Sequence, residues 1–159
     1  MNKIHIIGLF SAILLFSCSN ESNNAIARVE KNPNSENSNI PLISSAIALD
    51  RLSSNCYACH NPNSESHDDI LAPPLAGIKH KYKKQYPNEQ EFIAQMSGFI
   101  DLPTKEKALM KGPVKRFGVM PKTTLSKTEI QELVKYIYNN PLESPEWFAK
   151  HFEEKHGEK

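Results

Sequence analysis

Two cysteines and a histidine lie close enough in the sequence to share one chemical task. Cys56, Cys59 and His60 belong to the pentapeptide C-Y-A-C-H, in which the two thiols are three positions apart and the imidazole follows directly. At a helix end, each thiol can add to one vinyl group of a haem, and the histidine is then carried beneath the iron as an axial ligand. The pattern therefore predicts one haem c, attached through Cys56 and Cys59 and bound by His60.

Three other interpretations of the cysteine pair compete with haem attachment. A zinc site needs about four Cys or His ligands, and the chain has no second cysteine pair. A thioredoxin-like redox pair is expected in a βαβ setting, which the sequence does not show. The pentapeptide could also occur by chance. A lipoprotein that binds zinc or no cofactor is therefore the alternative to a haem protein.

The N-terminal segment has the features of an export signal. Lys3 precedes an apolar stretch over residues 4–16, which is shorter than the roughly 20 residues of a membrane-spanning helix. The sequence L-F-S-C that ends at Cys18 is similar to the lipobox of bacterial lipoproteins. We expect residues 1–17 to be a signal peptide and Cys18 to become an acylated N-terminus; cleavage nearby that leaves a free thiol is the alternative.

The segment that follows Cys18 has the composition of a tether. Residues 19–40 contain seven Asn, four Ser and no aromatic residue, and such a stretch buries too little apolar surface to offset its ordering entropy. We therefore expect residues 18–41 to be a flexible linker. It would hold a domain against a bacterial envelope membrane, on the periplasmic side or the outer surface.

Helical signals dominate the rest of the chain. Ser126 and Glu129 form a capping-box pattern before an apolar stripe that should end near Asn140. The sequence predicts an all-α domain over residues 42–142, followed by a helical tail over residues 143–159. The other predicted helices run from about Ser44 toward Cys56, from Asn88 to Asp101, from Thr104 to Met110, and from Ser144-Pro145, as N-cap and first helical residue, to about His156.

The chain resembles the class I monohaem c-type cytochromes over about residues 44–140, and three segments carry this resemblance. They are C-Y-A-C-H at 56–60, P-P-L-A-G at 73–77, and G-V-M-P at 118–121 before a capped helix. The resemblance implies a small helical domain wrapped around one covalently attached haem. It also implies that the Pro73 carbonyl accepts a hydrogen bond from His60, and that Met120 is the second axial ligand.

The second ligand has rivals within the sequence. Met96 lies on an apolar helical stripe and is expected in the core, whereas Met110 precedes Gly112-Pro113. His67 and His80 are the alternative imidazoles, and an empty sixth position is a further possibility.

Charge and ligation together define the expected function. The 19 Lys and Arg nearly balance the 18 Asp and Glu, so no global attraction to nucleic acid is expected. Residues 79–122 alone contain ten Lys or Arg and four Asp or Glu, a local excess of +6. A His/Met-ligated haem suits a single-electron carrier rather than an enzyme, with a terminal oxidase, respiratory complex or dehydrogenase as redox partner. The alternatives are a peroxidase-like enzyme or gas sensor with an open iron position, and a cytochrome subunit of a dehydrogenase complex.

Overall fold

A computed structural model of the chain describes residues 39–157, except for the side chain of His156. Residues 1–38, which hold the expected signal peptide, Cys18 and most of the expected linker, lie outside the described part. Within residues 39–157 the chain forms six α-helices and no strand, as the all-α prediction requires. They are α1 (Ser45–Asn55), α2 (Leu75–Gln85), α3 (Glu89–Asp101), α4 (Lys111–Phe117), α5 (Lys127–Asn139) and α6 (Glu146–His156).

Helix α5 is the centre of the packing, because it contacts α1, α2 and α3. Its N-terminus has the complete capping box: Ser126 Oγ accepts from the Glu129 backbone N–H at 3.3 Å, and the Ser126 N–H donates to Glu129 Oε2 at 2.9 Å. The apolar stripe that follows is buried, and its members are Ile130, Leu133, Val134, Tyr136 and Ile137.

Helices α1 and α3 also begin at capping residues that the sequence identified. The Asn88 side chain accepts from the backbone N–H groups of Gln90 and Glu91, and Ser44 Oγ accepts from Ile47. Helix α1 is further tied to α5 by a half-buried ion pair, in which Arg51 Nη1 lies 2.8 Å from Glu132 Oε2. The ion pair holds α1 against α5. The C-Y-A-C-H segment begins directly after the last residue of α1.

Two helices differ from the sequence-based expectations. The segment Thr104 to Met110 forms a turn and not the predicted helix. A helix that was not predicted, α4, follows it and includes the Gly112-Pro113 pair. Pro113 is the third helical residue of α4, and proline is tolerated in a first turn because the N–H groups there have no partner within the helix.

Helix α2 was not predicted, because its lysine-rich sequence hides the apolar positions. Only Leu75 and Tyr82 are buried in it. The tail helix α6 was expected, but its N-cap is Pro145, without a side-chain capping bond, so the assignment of Ser144 as cap was wrong. None of the helices described here is both long enough and apolar enough to cross a membrane.

Candidate haem-binding site

The C-Y-A-C-H segment forms a tight turn directly after α1. The backbone N–H of Cys56 donates to Leu52 O at 2.8 Å, and those of Cys59 and His60 donate to Cys56 O at 3.1 and 2.9 Å. This turn holds both thiols and the imidazole at one end of the helix, which is the arrangement that the spacing predicted.

The two thiols have different surroundings. Cys56 is partly buried and packs against the hydrophobic core, whereas Cys59 is exposed, and neither is in a disulfide. Burial raises the pKa of the Cys56 thiol to about 11. At neutral pH Cys56 therefore carries its proton, the form in which an S–H bond can add across a vinyl group.

His60 is oriented by the chain that leads into α2. Its Nδ1 lies 2.7 Å from the Pro73 carbonyl oxygen, and since a carbonyl can only accept, Nδ1 carries the proton and donates. The lone pair of Nε2 is then available to a metal, and the hydrogen bond fixes the ring. Burial lowers the pKa of His60 and the bond to Pro73 opposes this in part, so the ring is neutral at pH 7, as a metal ligand must be.

The thiols, His60 and Met120 line one cavity of about 310 Å³. Most of its wall is apolar, which suits the apolar faces of a large planar macrocycle. Helices α2, α3, α4 and α5 each contribute apolar residues to this wall, whereas Phe92 of α3 is fully buried in the core. The wall includes Leu75, Ile78, Met96, Phe117, Leu133 and Ile137.

Met120 belongs to a loop whose course is set by a glycine. Gly118 ends α4 with φ of 84°, a conformation that side-chain-bearing residues rarely adopt, and the loop then leads through Met120 and Pro121 to the capped start of α5. Met96 and Met110 line the same cavity. The rival imidazoles His67 and His80 are absent from its lining and line a different cavity.

Several further lining residues were not identified from the sequence. Val114 and Pro113 belong to α4, and Leu109 belongs to the turn before it. The sequence did not identify them, because a Gly-Pro pair is typical of a helix end and no helix was predicted at this place. Among residues 39–157, no three His, Cys, Asp or Glu side chains are grouped as metal ligands, so the zinc alternative finds no such cluster there.

A helical domain whose cavity combines two thiols, an oriented neutral imidazole and an apolar wall fits a covalently bound haem. The family model described as "Cytochrome c" matches residues 50–141, which is more than half of the chain. The chain therefore belongs to the cytochrome c family. Its cofactor is haem c, covalently bound, for which Cys56 and Cys59 provide the two thiols. Proteins of this family transfer electrons to redox partners.

One relative extends the comparison without adding a function. An "Uncharacterized protein" of Aquifex aeolicus (strain VF5) is 38% identical over 78 residues, covering 47% of this chain and 51% of that protein. The chain thus spans about half the length of this relative. No solved structure matches the chain significantly.

Proposed function

We propose that this protein is a lipid-anchored single-electron carrier of a bacterial envelope, whose haem iron is bound by His60 and Met120. The observation that carries the proposal is that His60 and Met120 line the same cavity as the two attachment cysteines. The bound haem c supplies reversible one-electron chemistry between ferric and ferrous iron.

The chain's own residues support this chemistry in three ways. Pro73 holds the His60 ring through the Nδ1 hydrogen bond, and a fixed imidazole keeps the same ligation in both oxidation states. A thioether from Met120 favours the ferrous state. The apolar wall provides a low dielectric, which disfavours the additional positive charge of the oxidised iron.

Met120 is the preferred sulfur ligand among the three methionines of the cavity. Met96 is 4% exposed and is part of the buried stripe of α3, where it contributes to the core. Met110 directly precedes α4. Met120 lies in the loop between the Gly118 turn and the capped start of α5, which is where the family resemblance expects the ligand.

The location outside the cytoplasm is proposed from the sequence alone. The L-F-S-C segment ending at Cys18, followed by the Asn- and Ser-rich residues 19–40, supports an acylated Cys18 and a flexible tether. Several acyl chains would anchor the domain stably to a membrane, facing the periplasm or the exterior. There it would exchange electrons with a terminal oxidase, a respiratory complex or a dehydrogenase.

The ligation is tested by carbon monoxide binding to the reduced, haem-loaded full chain. If Met120 occupies the sixth position, the protein should bind carbon monoxide poorly, and Met120→Ala should bind it readily, which makes the variant the positive control. Tight binding by the unaltered protein would contradict the proposal and favour the peroxidase-like or gas-sensor alternative. Stable co-purification with a dehydrogenase would favour the subunit alternative.

The anchor is tested separately with Cys18→Ser. We expect the unaltered protein to partition with membranes and the variant to be released, while both keep a haem that resists extraction by acid–acetone. Mass spectrometry that finds an unmodified Cys18 at the mature N-terminus would contradict the anchor and leave the electron carrier untouched.

A further inference from the structure

A second and larger cavity lies between α2, α4 and α6. Its volume is about 730 Å³, and it is lined by residues of these three helices and of the loop that contains His67 and Ile70. It shares five lining residues with the haem cavity, which are Pro73, Leu109, Met110, Pro113 and Phe117, but contains neither the attachment cysteines nor His60. Apart from the shared residues, the electron transfer proposed above uses none of the residues that line this cavity.

The lining of the second cavity has a strong excess of positive charge. Lys81 and Lys84 come from α2, and Lys111 and Arg116 come from α4, while no Asp or Glu among residues 39–157 lines the cavity. In the whole chain, by contrast, the 19 cationic side chains are nearly matched by 18 acidic ones. The cavity also has three imidazoles in its wall, which belong to His67, His80 and His151.

Two of the four cations already have partners. Lys111 Nζ donates to the backbone oxygens of Lys105 and Glu106, at 2.7 and 3.2 Å. Arg116 contacts the ring of His67 at 3.1 Å and lies 3.9 Å from the carboxylate of Asp68, which is outside the cavity lining.

The other two cations, on α2, have no such partners. Within residues 39–157, neither Lys81 nor Lys84 has a hydrogen bond or an ion pair to another side chain, and both are exposed. They are three positions apart, on the same face of α2 as Gly77, which also lines the cavity. Two ammonium groups are therefore available at the cavity to an anion from solution.

Aromatic rings of α6 form another part of the wall. Trp147 and Phe148 pack edge to face with ring centroids 6.2 Å apart, and Trp147 Nε1 donates to Ser64 O at 2.9 Å, which fixes the indole. Phe152 packs against His80 of α2 with centroids 4.8 Å apart. An apolar or aromatic group in the cavity would be stabilised by these rings.

We propose that this cavity binds a small amphipathic anion, an organic molecule with a carboxylate, phosphate or sulfonate group on an aromatic or apolar body. The lysines of α2 would bind the anionic group, and the rings of α6 would contact the body. Neither a bare anion nor a neutral aromatic compound uses both parts of the wall, so both should bind more weakly than the combined molecule.

The test uses the haem-loaded full chain. Because the haem and its carboxylates are already bound in this form, the anion whose binding is measured is the added probe. The probe is anilinonaphthalene sulfonate, with phenylnaphthylamine as its uncharged counterpart and inorganic sulfate as the bare anion, each measured by isothermal titration calorimetry. We expect the probe to bind at one site, at least about tenfold more tightly than either comparison compound, with an affinity that falls as salt rises. Failure of the haem-loaded protein to bind the probe, or equal binding of the uncharged compound, would overturn the proposal.

A pair of double variants locates the site. Lys81→Gln/Lys84→Gln should weaken probe binding by about fivefold or more, consistent with the loss of two partly screened charge contacts. The control Lys127→Gln/Lys150→Gln removes the same charge from exposed positions outside the cavity lining and should bind as the unaltered protein does. Equal weakening in both variants would mean attraction by net charge only and would overturn the assignment.

Trp147 gives an independent reporter, because it is the single tryptophan of the chain. Its indole N–H resonance in the reduced, nitrogen-15-labelled protein should shift on titration with the probe, with the same saturation as the calorimetric curve. An indole resonance that does not move while the probe binds would place the probe elsewhere and contradict the proposed cavity.

Discussion

Cys56 and Cys59 offer the same chemical group to the haem from different environments. Cys56 is packed against the core, whereas Cys59 faces solvent. A serine hydroxyl at position 56 would be partly removed from water, and an unsatisfied hydroxyl destabilises a folded protein. The same hydroxyl at position 59 would remain hydrated.

We therefore expect Cys56→Ser to lower the free energy of unfolding by about 1 kcal/mol or more beyond the loss in Cys59→Ser. The measurement is denaturant unfolding of the two haem-loaded variants, each of which should keep one thioether in its pyridine haemochrome spectrum. The double variant should release its haem into acid–acetone. Equal losses of stability in the two single variants, or haem that resists extraction from the double variant, would contradict this account.

For individual residues, spacing in the sequence was enough to predict that the two cysteines and the histidine of the C-Y-A-C-H segment lie together. It was not enough to choose which methionine is the ligand. Cys56, Cys59 and His60 are consecutive or nearly so, and a single turn brings them together whatever the rest of the chain does. Met96, Met110 and Met120 are distant in sequence and line one cavity. Only the packing of α3, α4 and the Gly118 loop brings them there, and the sequence carries little information on that packing.

Helix α5 depends on its capping box at the scale of whole elements. Ser126→Ala removes the oxygen that accepts from the Glu129 backbone N–H and leaves that N–H without its partner. We expect a loss of about 1 kcal/mol in unfolding free energy, measured by denaturant unfolding of the haem-loaded protein. Thr128→Ala, at an exposed position of the same first turn, is the matched control and should cost less. Equal losses would show that the cap contributes nothing specific.

The carboxylate of the same box makes stability depend on pH. Hydrogen bonds from the Ser126 side chain and from its backbone N–H lower the pKa of Glu129 below the ordinary glutamate value of 4.5. A carboxyl group with a lowered folded-state pKa contributes stability above its unfolded-state pKa, and this contribution is lost as pH falls through the folded-state pKa.

Glu129→Gln should therefore be less stable than the unaltered protein at neutral pH, and the difference should shrink on acidification below about pH 4.5. Thermal unfolding at a series of pH values measures this, with the exposed residue change Glu154→Gln as control. A difference that is constant across the series would mean that the charge of Glu129 is irrelevant to the cap.

Elements with a capped start and an apolar stripe could be predicted, and those without either could not. Asn88 and Ser126 predict the starts of α3 and α5, because their side-chain oxygens accept hydrogen bonds from the first free backbone N–H groups. Helix α2 has Pro74 as its N-cap, without a side-chain capping bond, and carries four lysines after its first turn. Helix α4 contains a Gly-Pro pair. Both form because packing around the cavity outweighs weak local preference.

The charge of the whole molecule is unevenly distributed along the chain. Residues 79–122 have an excess of +6, residues 18–78 sum to −4 and residues 123–159 sum to −2. A basic middle segment in a nearly neutral chain should attract an acidic redox partner and speed encounter with it, an effect that salt screens over about 10 Å at 0.1 M.

We expect oxidation of the ferrous protein by ferricyanide, an anion, to slow as salt concentration rises. Oxidation by a cationic cobalt phenanthroline complex should stay constant or accelerate under the same conditions, and this comparison is the control for general effects of salt. Stopped-flow absorbance measures both rates. An oxidation rate with ferricyanide that does not change with salt concentration would contradict electrostatic steering.

The proposed function depends most on ligation of the haem iron by the thioether of Met120. The most direct measurement is the near-infrared absorbance of the oxidised, haem-loaded full chain, in which a sulfur-to-iron charge-transfer band reports methionine ligation. We predict that the band is present in the unaltered protein and in Met110→Ala, and absent from Met120→Ala. Absence of the band from the unaltered protein, or its survival in Met120→Ala, would contradict the proposed ligation.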